Sequence, residues 1–197
     1  WPTVFKQKVI QQCNSLPTST DLEELIYCAE GAPSEEELEE ALTSGWDSDL
    51  ASIILLLHLI LPFCQECKRP GKVSASQAEK HLVVFQSGTS FQEHVNDINS
   101  MTQPYLLAVG RKRNTIHEFF IVLDKQVMPC KQVMPCKSTS SPGAFDELFK
   151  AHFVFGTIYN QMLHNMYVFI QTTVYNIDVG KVQETPRVAE IWARLLN

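Results

Sequence analysis

Residues 104–123 read Pro-Tyr-Leu-Leu-Ala-Val-Gly-Arg-Lys-Arg-Asn-Thr-Ile-His-Glu-Phe-Phe-Ile-Val-Leu, and this stretch decides the fold class. It contains two runs rich in apolar and aromatic residues, 104–109 and 116–123, which are typical of β-strands. The short polar connection between them begins with a glycine and ends with an asparagine, as the turn of a β-hairpin does. The sequence therefore predicts a pair of antiparallel strands here.

An exact repeat follows the predicted hairpin, since Lys-Gln-Val-Met-Pro-Cys occupies residues 125–130 and again residues 131–136. Side chains alternate along a strand with a period of two, so a six-residue insertion returns every later residue to its original face. In a helix the same insertion rotates the chain by roughly 600° and displaces the apolar stripe. Pro129 and Pro135 lack an N–H donor, which excludes a helix interior and a central strand. The repeat is therefore predicted to form an edge strand or the loop beside it, with no chemistry of its own.

The first part of the chain, residues 1–67, carries a helical pattern. Capping boxes, in which a Ser or Thr precedes a Glu by three residues, predict helix starts at Thr20 and Ser34. Residues 53–61 form an apolar run, interrupted by His58, of about half the length that a bilayer requires, which predicts a buried helix over residues 48–61. The stretch 68–76 has no period and contains Pro and Gly, so it is predicted to be a linker.

The remaining residues, 77–197, are predicted to form an α+β domain. Before the hairpin, residues 82–85 predict a first strand, and a third capping box predicts a helix from Ser90. After the hairpin, helices are predicted over 159–172, over 186–196, and around an apolar stripe formed by Phe145, Leu148, Phe149 and His152. The predicted fold class is therefore α+β: an N-terminal helical segment, then a small antiparallel sheet flanked by C-terminal helices.

Length, composition and charge limit the class of protein. The 197 residues are 45% apolar and 19% charged, which is ordinary for a folded domain. The net charge is −6, and residues 1–60 hold eleven acids against two bases, which argues against nucleic-acid binding by that segment. The chain is too rich in apolar residues to need its six cysteines as disulfides, and it has no Asn-x-Ser/Thr acceptor. Both facts favour reduced thiols and a cytoplasmic or nuclear location. Because the chain begins with Trp1, we interpret it as a piece of a longer protein.

Cys64 and Cys67 form the only Cys-x-x-Cys in the sequence. This spacing suits a zinc site or a thioredoxin-like redox pair, and His81 is the candidate for a further zinc ligand. However, zinc needs four ligands and no second pair follows, while a redox pair should open a helix after a strand. Two ordinary thiols at a helix end are the prediction, zinc is the alternative, and no cofactor is expected.

The sequence contains none of the patterns that mark common catalytic sites. There is no Gly-x-Ser-x-Gly, no phosphate-binding glycine loop and no His-Glu-x-x-His. His152, on an aromatic face, is predicted to be a core histidine. The basic triplet Arg111, Lys112 and Arg113 lies at the predicted hairpin tip, where three charges suit an exposed turn; phosphate contact is the alternative. The chain is therefore predicted not to be an enzyme. The alternative function is a nucleic-acid-associated module, which in one version derives from a transposon.

Four segments resemble a family of uncharacterised vertebrate proteins named sterile alpha motif domain-containing protein 3-like. They are Gln103-Pro-Tyr-Leu-Leu-Ala-Val-Gly110, Phe119-Phe-Ile-Val-Leu-Asp124, Gly143-Ala-Phe-Asp-Glu-Leu-Phe-Lys-Ala-His-Phe-Val-Phe-Gly156 and Phe169-Ile-Gln-Thr-Thr-Val-Tyr-Asn-Ile-Asp178. The resemblance covers roughly residues 72–197 and, weakly, the helical part before them.

The resemblance implies that the chain is the C-terminal region of a larger protein whose upstream part holds a small protein-interaction domain. The resemblance assigns no catalytic or ligand-binding residue to this chain. The family has one copy of the Pro-Cys segment, so the second copy is a difference from it. The leading prediction is a non-enzymatic intracellular protein-interaction or scaffold module, with protein partners and no membrane segment.

Overall fold

The computed structural model describes residues 3–31, 45–60, 74–88, 103–123 and 132–196. Within these ranges the chain forms seven helices and four strands, and the predicted α+β class is confirmed. The helices are α1 (Thr3–Cys13), α2 (Thr20–Glu30), α3 (Ser48–Leu59), α4 (Ala75–Leu82), α5 (Ser141–Val154), α6 (His164–Phe169) and α7 (Pro186–Leu196). A π-helical turn, Ile170–Val174, continues α6. The strands are β1 (Val83–Ser87), β2 (Tyr105–Lys112), β3 (Thr115–Leu123) and β4 (Gln132–Pro135).

The four strands form one mixed sheet in the order β1-β2-β3-β4. The predicted hairpin is confirmed, because β2 and β3 pair antiparallel, and β3 and β4 do the same. The strand predicted at 82–85 is also found, as β1, but it pairs parallel with β2 rather than antiparallel. Parallel neighbours need a connection of a dozen or more residues, and residues 88–104 provide that length.

The hairpin depends on Gly110, at which the strands approach each other closely. The register between β2 and β3 shifts on both sides of this residue. A Cβ atom at position 110 would lie 2.2 Å from the carbonyl oxygen of Thr115. No side chain fits at that distance, so the glycine permits the bulge that ends the regular pairing before the tip.

The second copy of the repeated hexapeptide forms the edge strand β4, as predicted. Within the described sheet, β4 pairs only with β3, and Pro135 lies opposite Phe120. Beyond the strand, the N–H of Cys136 donates to the carbonyl oxygen of Phe119. The first copy, residues 125–130, lies outside the described residues.

Deleting residues 131–136 is expected to change the free energy of unfolding by less than about 1 kcal/mol. After the deletion the identical residues 125–130 precede Lys137, and Gln126 takes the place of Gln132 opposite Leu123. The connection between β3 and β4 then shortens from residues 124–131 to residues 124–125, which lowers the entropy cost of closing this loop by about 1 kcal/mol. The type I′ turn that suits a two-residue connection places both residues at positive φ, which Asp124 tolerates and which costs Lys125 about 1–2 kcal/mol.

Urea titration followed by circular dichroism measures this change. Deleting residues 125–136, which removes both copies and therefore β4, is the matched control and should cost more than about 2 kcal/mol. Equal losses from the two deletions would show that one copy cannot replace the other.

The centre of the core is α3, which is buried on every side. Nine of its twelve residues are buried, and it packs against α1, α2, α4 and α5. A helix that is apolar all round belongs in a protein core, as the sequence predicts for residues 48–61. Asp47 caps its first turn by accepting from the N–H groups of Asp49 and Leu50. Among the described helices, none is long and apolar enough to cross a membrane.

The N-terminal and C-terminal helices contribute to the same core. Val9 of α1, Leu25 of α2, Phe149 of α5 and Ile191 of α7 belong to one cluster of buried residues. The described part of the predicted linker is not irregular, because Ser74 caps α4 in a capping box with Gln77. Residues 68–73 lie outside the described residues, so the division into a helical segment, a linker and an α+β domain stays a prediction.

Several predicted helix boundaries move by a few residues. The N-cap of α2 is Ser19, whose side chain accepts from the N–H of Leu22, rather than Thr20. Helix α6 begins at His164 and not at residue 159, while α7 has the predicted bounds. The helix starts predicted at Ser34 and Ser90 lie outside the described residues.

Candidate functional site

A cavity of about 520 Å³ lies between α2, α4, β1 and the tip of the β2–β3 hairpin. We call it the Trp46 groove. Its apolar wall consists of Leu25 from α2, Trp46, and the β1 residues Val83, Val84 and Phe85. The volume falls within the range of about 300–1,000 Å³ that is usual for ligand sites.

Trp46 is held in place by three contacts. Its indole N–H donates to Oε1 of Glu79 at 2.8 Å, and the ring of Phe85 meets it edge to face with centroids 6.2 Å apart. The guanidinium of Arg113 lies over the indole, 4.8 Å from the ring centroid. Trp46 itself is only 5% exposed, so the ring has a fixed orientation in the groove.

The polar rim of the groove is acidic on balance. It carries the carboxylates of Asp21, Glu24 and Glu79 and the cations of Lys80 and Arg113. Burial raises the pKa of Glu79 above its ordinary value, although the hydrogen bond from Trp46 and the charge of Arg113 act in the opposite direction. The groove therefore has a half-buried carboxyl group whose charged form is stabilised by a nearby positive charge.

Two contacts connect the elements that form the groove. The hydroxyl of Ser76 on α4 donates to Oδ2 of Asp21 on α2 at 2.7 Å. The N–H of Asp47 donates to the carbonyl oxygen of Arg113 at 3.2 Å, which attaches the hairpin tip to the start of α3. These bonds fix the two sides of the groove relative to each other.

The thiol of Cys28 also lines the groove, but it is not activated. Burial and then the nearby carboxylate of Glu24 raise its pKa. A Cβ atom at Gly45 would lie 2.3 Å from Sγ of Cys28, so the thiol is packed tightly against the backbone. Reactive cysteines have a lowered pKa and an electropositive surrounding, and Cys28 has neither.

The predicted basic triplet is found at the hairpin tip, and the structure separates its members. Arg111, Lys112 and Arg113 are all exposed, but Arg113 alone lines the Trp46 groove. Because the guanidinium of Arg113 lies over Trp46, the tip presents a smaller cluster of free charge than the sequence suggests. Nucleic-acid association through the tip stays a prediction.

Of the zinc candidates, only His81 lies among the described residues. It is half-buried in the last turn of α4, and burial lowers its pKa. Cys64 and Cys67 lie outside the described residues. Within the described ranges, no group of three or more His, Cys, Asp or Glu side chains is arranged to hold a metal ion. Zinc binding by Cys64, Cys67 and His81 stays a prediction.

His152 lies in a cluster of buried aromatic rings, on the stripe that the sequence assigns to the core. It is 2% exposed, and its ring centroid lies 4.6 Å from that of Tyr167. Nδ1 is 2.7 Å from Oγ1 of Thr157, whereas Nε2 is buried with no hydrogen-bond partner among the described residues. Burial lowers the pKa of His152 to about 4. The histidine is therefore a neutral core residue at neutral pH.

The residues that follow His152 form an exposed apolar segment, 153–158. Phe153, Val154, Phe155 and Ile158 are between 44% and 83% exposed. The segment has a defined conformation, because the N–H of Thr157 donates to the carbonyl oxygen of His152 and the side-chain amide of Gln103 donates to the carbonyl oxygen of Ile158. Its sequence had indicated only a continuation of the aromatic core face.

Reasoning from the sequence missed the Trp46 groove. Trp46 and Glu79 are separated by 32 intervening residues and carry no motif, so nothing local indicates that they meet. One signal was present, the capping box of Ser74 and Gln77, which places Glu79 on a helix.

Searches against protein-family models, curated proteins and solved structures find no match to this chain. The chemistry of the Trp46 groove and of the apolar segment is therefore the basis for assigning a function.

Proposed function

We propose that this chain is a non-enzymatic protein-interaction or scaffold module of a larger intracellular protein in the cytoplasm or nucleus. The observation that carries the proposal is the apolar segment, 153–158. Four large apolar side chains are exposed within six residues, and an exposed apolar patch of this kind is typical of a protein-protein contact.

The way the apolar segment is held supports this function. Thr157 is bonded through its backbone and side chain to His152, which is buried in the core. Gly156 has φ of 60°, a conformation that glycine adopts without strain, and it turns the chain at the end of α5. A surface that is ordered before binding loses less conformational entropy when a partner docks.

The thiols of the described residues support a role without nucleophilic catalysis. Burial raises the pKa of Cys13 to about 12, and burial together with Glu147 does the same for Cys136. Cysteine nucleophiles act as thiolates, and these groups stay protonated at neutral pH. The resemblance to the sterile alpha motif domain-containing protein 3-like family agrees with the proposal, in which an upstream domain would supply a further contact.

Replacing Val154 and Ile158 with Glu is expected to abolish the association of the chain with its protein partners. Both side chains are more than 70% exposed, so the free energy of unfolding should change by less than about 0.5 kcal/mol. Two buried charges in an apolar contact should lower the recovery of partners more than about tenfold. Affinity capture from cells with quantitative mass spectrometry measures the effect.

Val179→Glu is the matched control, since Val179 is an exposed valine outside the apolar segment. It adds a negative charge at another surface position and should leave the captured proteins unchanged. Equal recovery of the same proteins by the wild type and by the double variant would contradict the proposal.

A further inference from the structure

The Trp46 groove already holds a cationic side chain from the chain itself. The guanidinium of Arg113 lies 4.8 Å from the centroid of the Trp46 indole, and its charge lowers the pKa of Glu79. A cation over an indole face beside a carboxylate is a favourable arrangement, worth more where water is excluded. The groove is therefore built to accept a guanidinium.

The charges of the groove favour a cationic ligand. Three carboxylates, Asp21, Glu24 and Glu79, face the two cations Lys80 and Arg113. Desolvation keeps the pKa of Glu79 above its ordinary value even with Arg113 present. A further positive charge would therefore improve the electrostatics of this site, whereas a further carboxylate would make them worse.

The shape of the groove suits an extended chain. One wall is β1, which within the described sheet is an outer strand paired on a single side with β2. Val83, Val84 and Phe85 of this strand line the cavity. An extended peptide beside such a strand gains backbone hydrogen bonds, and its alternate side chains reach the pocket.

We propose that the Trp46 groove binds an extended, arginine-containing segment of a partner protein, with one arginine over the indole of Trp46, at the position that Arg113 holds, and beside the carboxylate of Glu79. This assignment rests on the proposed interaction function and specifies the chemistry of one partner. Arg113 is the internal competitor for the site, because it occupies the indole face and carries the same charge as the incoming residue.

Arg113→Ala is expected to tighten binding of a basic peptide about three- to tenfold, the size of one cation–π contact and one like-charge repulsion. The probe is an acetylated and amidated heptapeptide with two arginines at alternate positions between valines. Isothermal titration calorimetry at low ionic strength measures its affinity. Arg111→Ala is the matched control, because it removes the same charge from the same hairpin without altering the groove, and its effect should stay within about twofold.

Three further comparisons test the recognition chemistry. A peptide with citrulline in place of arginine has the same shape without the charge and should bind at least about tenfold more weakly. Glu79→Gln keeps the acceptor for the Trp46 N–H and should weaken binding of the arginine peptide about fivefold or more. Asp21→Asn, at the exposed rim, should also weaken binding of the arginine peptide. Its amide oxygen still accepts from Ser76, so this variant replaces Glu79→Gln in the test if Glu79→Gln perturbs folding.

The proposal is overturned by equal affinities for the arginine and citrulline peptides, by equal effects of Arg113→Ala and Arg111→Ala, or by no binding to either the wild type or Arg113→Ala. None of these outcomes affects the apolar segment, which is tested by the Val154 and Ile158 variant. A failure of the groove and a failure of the interaction function are therefore distinguishable.

Discussion

Lowering the pH from 7 to 4 is expected to reduce the free energy of unfolding by about 3 kcal/mol through His152. In the folded chain burial lowers the pKa of this histidine from 6.5 to about 4, while the unfolded chain keeps the ordinary value. Between these two pH values only the unfolded state binds the proton, so stability falls as the pH falls. The loss begins near pH 6.5 and levels off below pH 4.

The surroundings of His152 explain why the folded state resists protonation. The ring lies against Tyr159 and Tyr167, and no carboxylate pairs with it within the described part of the chain. An imidazolium at this position would be buried without a counter-charge, which a protein core does not accommodate.

Urea titrations at pH 7, 5.5 and 4 measure this dependence. The glutamine of His152→Gln cannot take up a proton. Between pH 7 and pH 4 this variant should therefore lose about 3 kcal/mol less stability than the wild type, even if it is less stable at pH 7. His117→Gln is the matched control, because His117 is exposed on β3, and it should keep the pH dependence of the wild type. An unchanged pH dependence in His152→Gln would show that another group causes the loss.

Leu56→Ala is expected to lower the free energy of unfolding by about 3–4 kcal/mol. Leu56 is completely buried in α3, and its neighbours along the helix are buried as well. Because α3 contacts helices on several sides, the surrounding side chains cannot all move to fill the space that the deletion leaves. Chemical denaturation measures the loss, and Val179→Ala, at an exposed position, should be nearly neutral.

The same variant tests the predicted division of the chain. If the helical segment 1–67 and the rest form one cooperative unit, Leu56→Ala should speed amide hydrogen exchange in β2 and β3 as well as in α1 and α2. Exchange that increases only in α1 and α2 would support two separate domains. The shared core of Val9 and Ile191 leads us to expect the first result.

The hairpin and the central helix were predictable because their signals are local. Residues 104–123 contain both strands and the turn, and the helical stretch predicted over 48–61 exceeds the length of a strand. The edge position of β4 followed from Pro135, which cannot donate to a second neighbour. In each case the chemistry of a few adjacent residues excludes the other structures.

Other features depend on contacts between distant residues, which a local pattern does not specify. The parallel pairing of β1 with β2 is not specified by the residues of β1, and it requires only that the connection be a dozen or more residues long. Ser74 was predicted to lie in the linker because it follows Pro70 and Gly71, yet it caps α4 because Gln77 completes the capping box. Trp46, Glu79 and Arg113 meet only after α4 and the hairpin have packed, so the position of Arg113 over Trp46 was not predictable from the basic triplet.

The repeated hexapeptide has a consequence for how the protein tolerates mutation. Two identical segments are candidates for one position at the edge of the sheet, and both lead into the same Lys137 when the other is removed. A harmful substitution in one copy leaves an intact copy six residues away, in the register that keeps every side chain on its proper face. The edge strand β4 is therefore one for which the chain carries a second copy of the same residues.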